Sequence, residues 1–74
     1  MSDERNFCEN VKFLRLKHNL TQKEMAHICG IGIKSLALIE KGIIPERLNV
    51  SILFSIMDYF GIHPRDMFIK VIEE

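Results

Sequence analysis

Apolar residues recur along this chain at helical spacing rather than in alternation. Phe7, Val11, Leu14 and His18 fall at i, i+4, i+7 and i+11, on one side of a first helix. Asn19 follows as a residue suited to a left-handed C-cap, and Leu20 is expected to turn inward after it. Thr21-Gln22-Lys23-Glu24 has the form of a capping box, Thr21 bonding forward and Glu24 reaching back, so a second helix starts there. Met25, Ala26, Ile28 and Cys29 supply its apolar side. Gly30 breaks this helix, Ile31 plugs inward, and Gly32 precedes a third helix from Ile33 to Lys41, ended by Gly42. Within it Leu36 and Ile39 share one side, while Ile33, Lys34, Ala37, Leu38 and Lys41 spread over the other.

The stretch Ile43–Leu48, with Pro45, reads as a loop, and Asn49 can cap a fourth helix from Val50 to about Phe60. Its inward face is expected to be Val50, Leu53, Phe54, Ile56 and Met57, with Phe60 closing it near Gly61. His63-Pro64 opens a fifth helix, proline fitting the first helical position. Met67, Phe68, Val71 and Ile72 give that helix a stripe before the acidic Glu73-Glu74. No alternating segment of strand length survives, so the expectation is an all-α bundle of five short helices.

Composition sharpens this. Seventy-four residues make one domain, spanning 1–74, with 47% hydrophobic and 27% charged residues, a globular balance rather than a disordered one. Ten Lys+Arg against ten Asp+Glu leave no net charge, with a pI near 6.8. A polybasic tail is excluded, and any anion-binding surface must come from arrangement. From the polar, acidic start MSDERNF no signal peptide is expected, and no apolar run approaches a membrane span. The expected location is the cytoplasm. Cys8 and Cys29, among apolar neighbours, read as reduced structural thiols.

The chain offers no chemistry of its own. His18, His27 and His63 lack metal-ligand spacing and read as border, surface and turn residues. Asp58 and Asp66 are isolated carboxylates rather than a paired acid and base, and no nucleophile has a base and orienter beside it. Neither enzymatic activity, a cofactor nor a small-molecule substrate is expected.

What the chain does offer is two short helices joined by a tight turn. The second starts at Thr21, Gly30 sits at the turn, small Ala26 lies where the helices cross, and Ile31 anchors the turn in the core. A third helix this short, with one solvent-facing side, suits the major groove of DNA. The span Val11–Phe68 resembles the Cro/C1-type (Xre-like) helix-turn-helix family. The likeness rests on Leu20-Thr21-Gln22-Lys23-Glu24-Met25-Ala26, Gly30-Ile31, Ile39-Glu40-Lys41-Gly42 and Phe60-Gly61-Ile62 together. It implies a compact five-helix bundle of the lambda-repressor-like type, binding double-stranded DNA, commonly as a homodimer on inverted repeats, and mostly repressing transcription. A regulator of a bacterium, phage or mobile element is the corresponding expectation.

Carried over by position, the resemblance implies a phosphate-contacting glutamine at Gln22 and base-reading positions at Ile33, Lys34, Ala37 and Leu38. It also implies an internal arginine–glutamate pair at Arg15 and Glu40, and loop amides from Gly42 to Ile44 near a phosphate. Lys23 and Lys41 complete the expected DNA-contacting set, and Lys12, Lys34 and Arg47 join them as cations flanking the groove. Three departures stand out. Gly32 replaces the usual Ser or Thr cap of the reading helix, the loop after that helix is longer, and Ile33, Ala37 and Leu38 replace polar readers. Apolar side chains can pack on thymine methyls. The same face, continued by Ile43 and Ile44, equally suits a protein partner, as in an antitoxin-like interaction module. Phe13 and Leu16, on the far side of the first helix, are expected to be exposed unless the fifth helix reaches them, with self-association as an alternative use of that side.

Overall fold

The computed structural model describes residues 3–44 and 50–69. Within them run five helices, α1 (Asp3–Lys17), α2 (Gln22–Cys29), α3 (Ile33–Glu40), α4 (Val50–Phe60) and α5 (Pro64–Ile69). The boundaries follow local chemistry. Thr21 Oγ1 accepts from the Glu24 N–H (3.1 Å) while the Thr21 N–H donates to Glu24 Oε1 (2.8 Å), the reciprocal box expected at the head of α2. His63 Nδ1 accepts from the Arg65 N–H (3.1 Å) at the start of α5, directly before Pro64. Pro45, Arg47, Asn49, Val71, Ile72, Glu73 and Glu74 lie outside the described residues.

Three helices end by one device. Asn19 (φ 56°), Gly30 (φ 73°) and Gly42 (φ 92°) each take a left-handed turn. The next residue then closes a bond back five positions, Leu20 to Arg15 (2.9 Å), Ile31 to Ala26 (3.0 Å) and Ile43 to Leu38 (2.9 Å). Leu20 and Ile31 follow the turn into the core, whereas Ile43 stays 52% exposed.

The packing forms a closed circuit. α1 lies against α3 and α5, α2 against α3 and α4, and α4 against α5. Phe7, Val11, Leu14, Met25, Leu36, Ile39, Ile56 and Met67 fill the centre with almost no exposure. His18, read as a border residue, lies just past α1, exposed and with its ring against that of Phe60 (centroids 4.9 Å). The α4 face is rotated from the one expected. Ile52 and Ile56 point into the core, Leu53 and Met57 are half-buried, and Val50 and Phe54 remain 64% and 55% exposed.

Phe68 of α5 stacks on Phe7 (centroids 5.0 Å, 12° between planes), while on the far side of α1 Phe13 is half-buried and Leu16 is exposed. Two buried asparagines of α1 complete the junction. Asn10 Nδ2 donates to the Met67 carbonyl (2.8 Å), and Asn6 Nδ2 to those of Phe68 (3.0 Å) and Ile69 (3.3 Å). These side chains tie the carbonyls of the last described turn of α5 to α1.

Candidate nucleic-acid interface

The turn between α2 and α3 is set from below. Ala26 and Met25 are buried where the two helices meet, Ile31 packs on the core, and Leu36 and Ile39 fix which side of α3 faces inward. The opposite side is thereby presented to solvent. Ile33 (47%) and Leu38 (40%) are exposed together with Lys34 and Lys41, and Ala37 is half-buried among them. The structure thus gathers all five expected α3 residues on one face. Lys34 and Lys41 are its charged groups, since Glu40 turns inward and is only 5% exposed. α3 itself ends at Glu40, with Lys41 as its C-cap.

Glu40 is where three elements are tied together. Arg15 grips it with two bonds, Nε to Oε2 (2.7 Å) and Nη2 to Oε1 (3.0 Å), and its Nη1 donates to the Leu20 carbonyl (3.1 Å). The fork matches the carboxylate geometry, so the pair fixes orientation as well as neutralising a largely buried charge. Gln22 Nε2 reaches the same carboxylate (3.4 Å). This contact went unseen in the sequence, because Gln22 and Glu40 lie on different helices with nothing in their spacing to link them. It leaves the second N–H of that amide group directed elsewhere. The capping box uses the amides of Thr21 and Glu24, so the Gln22 and Lys23 N–H groups at the positive end of α2 remain available to an anion.

At the head of α3, Gly32 has extended backbone (φ −74°, ψ 157°) and supplies no side-chain bond, leaving the first-turn amides uncapped by any side chain. The far end differs from expectation. The Gly42 N–H donates to Ile39 (2.9 Å) and the Ile43 N–H to Leu38 (2.9 Å), so these two loop amides are consumed by the helix terminus and cannot also serve a phosphate. The expected lysine cluster also divides. Lys12 and Lys41 line one cavity, whereas Lys23 lines a groove of about 490 Å³ between α2 and α4 with Leu20, His27, Ile28 and Tyr59.

The buried groups are chemically quiet. Burial, helped by the Glu40 charge, pushes the Cys29 thiol up to about 11, and burial with Glu4 and Glu9 raises Cys8 as well. Both stay free thiols. The bonds from Thr21 hold Glu24 below the usual carboxylate range. Among the described residues no group of three or more His, Cys, Asp or Glu is placed to hold a metal ion, and no helix is long and apolar enough to cross a membrane.

Residues 11–67, which span α1 from Val11 to α5 at Met67, match the helix-turn-helix family. The chain belongs to that family. This helix-turn-helix domain is 36% identical over 59 residues to the uncharacterised HTH-type transcriptional regulator MJ0272 of Methanocaldococcus jannaschii, covering 80% of the chain and 86% of that protein. No solved structure matches it. The matched span holds the α2–turn–α3 unit, the Arg15–Glu40 pair and every residue of the exposed α3 face.

Proposed function

We propose that this domain is a sequence-specific DNA-binding transcriptional regulator, a cytoplasmic repressor that lays α3 in the major groove and blocks polymerase by occupancy. The observation that carries the reading is the outward face of α3, anchored by Leu36 and Ile39 beneath it and by the Arg15–Glu40 pair at its end. On it, Lys34 suits guanine O6 and N7, while Ile33, Ala37 and Leu38 suit thymine methyls. Gln22, Lys23 and the open amides at the head of α2 would meet a phosphate and set the register, and Lys41 would meet the backbone at the other end. The relative's description as a transcriptional regulator supports the class of function.

One domain with no net charge neutralises few phosphates, so a homodimer on an inverted repeat is the form in which such a regulator holds an operator. The test is selection of sites from a random duplex pool at low salt, followed by titration of the selected and scrambled duplexes across salt. An enriched inverted repeat whose preference survives near physiological salt supports the reading. Weak binding to every duplex, without enrichment, overturns it.

A second reading follows from the exposed Ile33, Leu38 and Ile43, which suit a protein partner as well as a groove. Polar substitution at Ile33 and Leu38 separates the two. Loss of selective DNA binding with the fold intact favours the regulator, and loss of a protein partner with DNA binding unchanged favours the interaction module.

A further inference from the structure

Lys12 and Lys41 are 29 positions apart in sequence, on α1 and at the cap of α3, yet they line one cavity of about 240 Å³. Its charge is not balanced. Glu9 has its own cation in Arg5 (3.3 Å), and Glu40 has the two-bond grip of Arg15 (2.7 and 3.0 Å). Neither lysine has a partner among the described residues, so the cavity is positive despite its two acids. Cys8 contributes an uncharged wall, its thiol kept protonated by burial.

The position also matters. This is the C-terminal end of α3, where the helix dipole is negative and repels anions. The Lys41, Gly42 and Ile43 amides are already bonded to carbonyls of α3, so no main-chain donor from them is open to an anion. An anion held here must be held by side-chain cations, Lys12 and Lys41 beside the Glu9-bonded Arg5 that also lines the cavity. Lys41 belongs to both surfaces, lying on the same face as Lys34 and lining the cavity beside α1.

We propose that Lys12 and Lys41 clamp a single backbone phosphate of duplex DNA, so that α1 joins the interface where the strand passes the C-terminal end of α3. The clamp rests on the reading of α3 as a groove-binding helix. It replaces amide donors by two lysines that approach from different helices, which makes the distance between α1 and α3 part of the DNA-binding geometry.

The experiment measures affinity for the selected duplex and its scrambled control across salt, for the wild type, Lys12→Gln, Lys41→Gln and the double variant. Arg65→Gln on α5 serves as a control that removes equal charge elsewhere. Lys12→Gln is expected to weaken both duplexes by the same factor. Because one phosphate is shared, the double variant should lower the slope of log affinity against log salt by about 0.9 per bound protomer rather than twice that. A scan of single methylphosphonates should find one position per half-site at which the neutral linkage weakens wild-type binding and makes Lys12→Gln silent. A wild-type slope for the double variant, or a scan without such a position, overturns the clamp while the regulator reading stands. Absence of selective duplex binding by the wild type overturns both. Unchanged melting temperatures certify that the variants are folded, and a melting change with an unchanged slope assigns the lysines to helix stability alone.

Discussion

Leu36 is a side chain with no exposure, on the inward side of α3 within the central core cluster. Leu36→Ala should cost about 2–4 kcal/mol in denaturant unfolding, the range for a large buried aliphatic that leaves a cavity. A loss under about 1 kcal/mol would mean the site collapses and α3 is less firmly seated than its burial implies. The thiols give a prediction in pH. Cys29 is raised to about 11 from an ordinary 9.0, so the unfolded chain loses this proton first as the solution becomes alkaline. Its contribution is therefore complete below pH 9.0 and fades as pH climbs toward 11. Melting across that window should fall more steeply for the wild type than for Cys29→Ala. In the folded protein at pH 8, both cysteines should resist alkylation until denaturant is added.

At the scale of the element, the caps were the most legible part of the sequence. Thr21 with Glu24, Asn19, Gly30, Gly42 and the His63-Pro64 pair each act within a few residues of themselves, so their chemistry is readable locally. The inner faces of α1, α2 and α3 were nearly as clear, because each carries enough polar residues to mark an outside. α4 carries few. Val50-Ser51-Ile52-Leu53-Phe54-Ser55-Ile56-Met57 is apolar nearly all round, so periodicity cannot choose between faces, and only packing on α2 and α5 selects Ile52 and Ile56. Asn6 and Asn10 were invisible for the opposite reason. A polar residue reads as surface unless its partner is known, and here the partners are carbonyls 57 to 63 positions away. The α3 face was legible as a set, and the Lys12–Lys41 cavity was not, since only the approach of α1 to α3 creates it.

The head of α3 yields a prediction of its own. Gly32 has φ −74°, ψ 157°, and a Cβ there meets nothing within 4 Å. Gly32→Ser would add an acceptor for an open first-turn amide and reduce the freedom of the unfolded chain. Together these should raise stability by about 0.5–1 kcal/mol in thermal melts. No gain would show that the first turn of α3 is already satisfied by other means.

For the whole molecule, size and charge point the same way. The domain measures 26 × 25 × 20 Å, so two copies that touch can hold their α3 helices at the spacing of successive major grooves, about 34 Å. With ten cations against ten anions, attraction to DNA is short-ranged and depends on which charges face the duplex. Affinity for the selected duplex should therefore fall sharply between low and physiological salt. It should also depend on protein concentration as the square of the protomer, read from titrations over a range of concentrations together with sedimentation. A titration first order in protomer, at full affinity, would exclude the dimer.

The asparagine bonds between α1 and α5 have a kinetic consequence. Their partners lie at opposite ends of the described chain, so this seam zips only after the intervening helices have come together, and it is the natural place for the molecule to open first. In native-state hydrogen exchange, amides of α5 should be released in a small partial opening, well before those of α2 and α3. Asn10→Ala should widen that gap by speeding exchange in α5 while leaving the helix-turn-helix amides near their wild-type protection. The species transiently formed would bare Phe7 and Met67 to water, making the far edge of the bundle, and not its α3 face, the point of entry for proteolysis and aggregation.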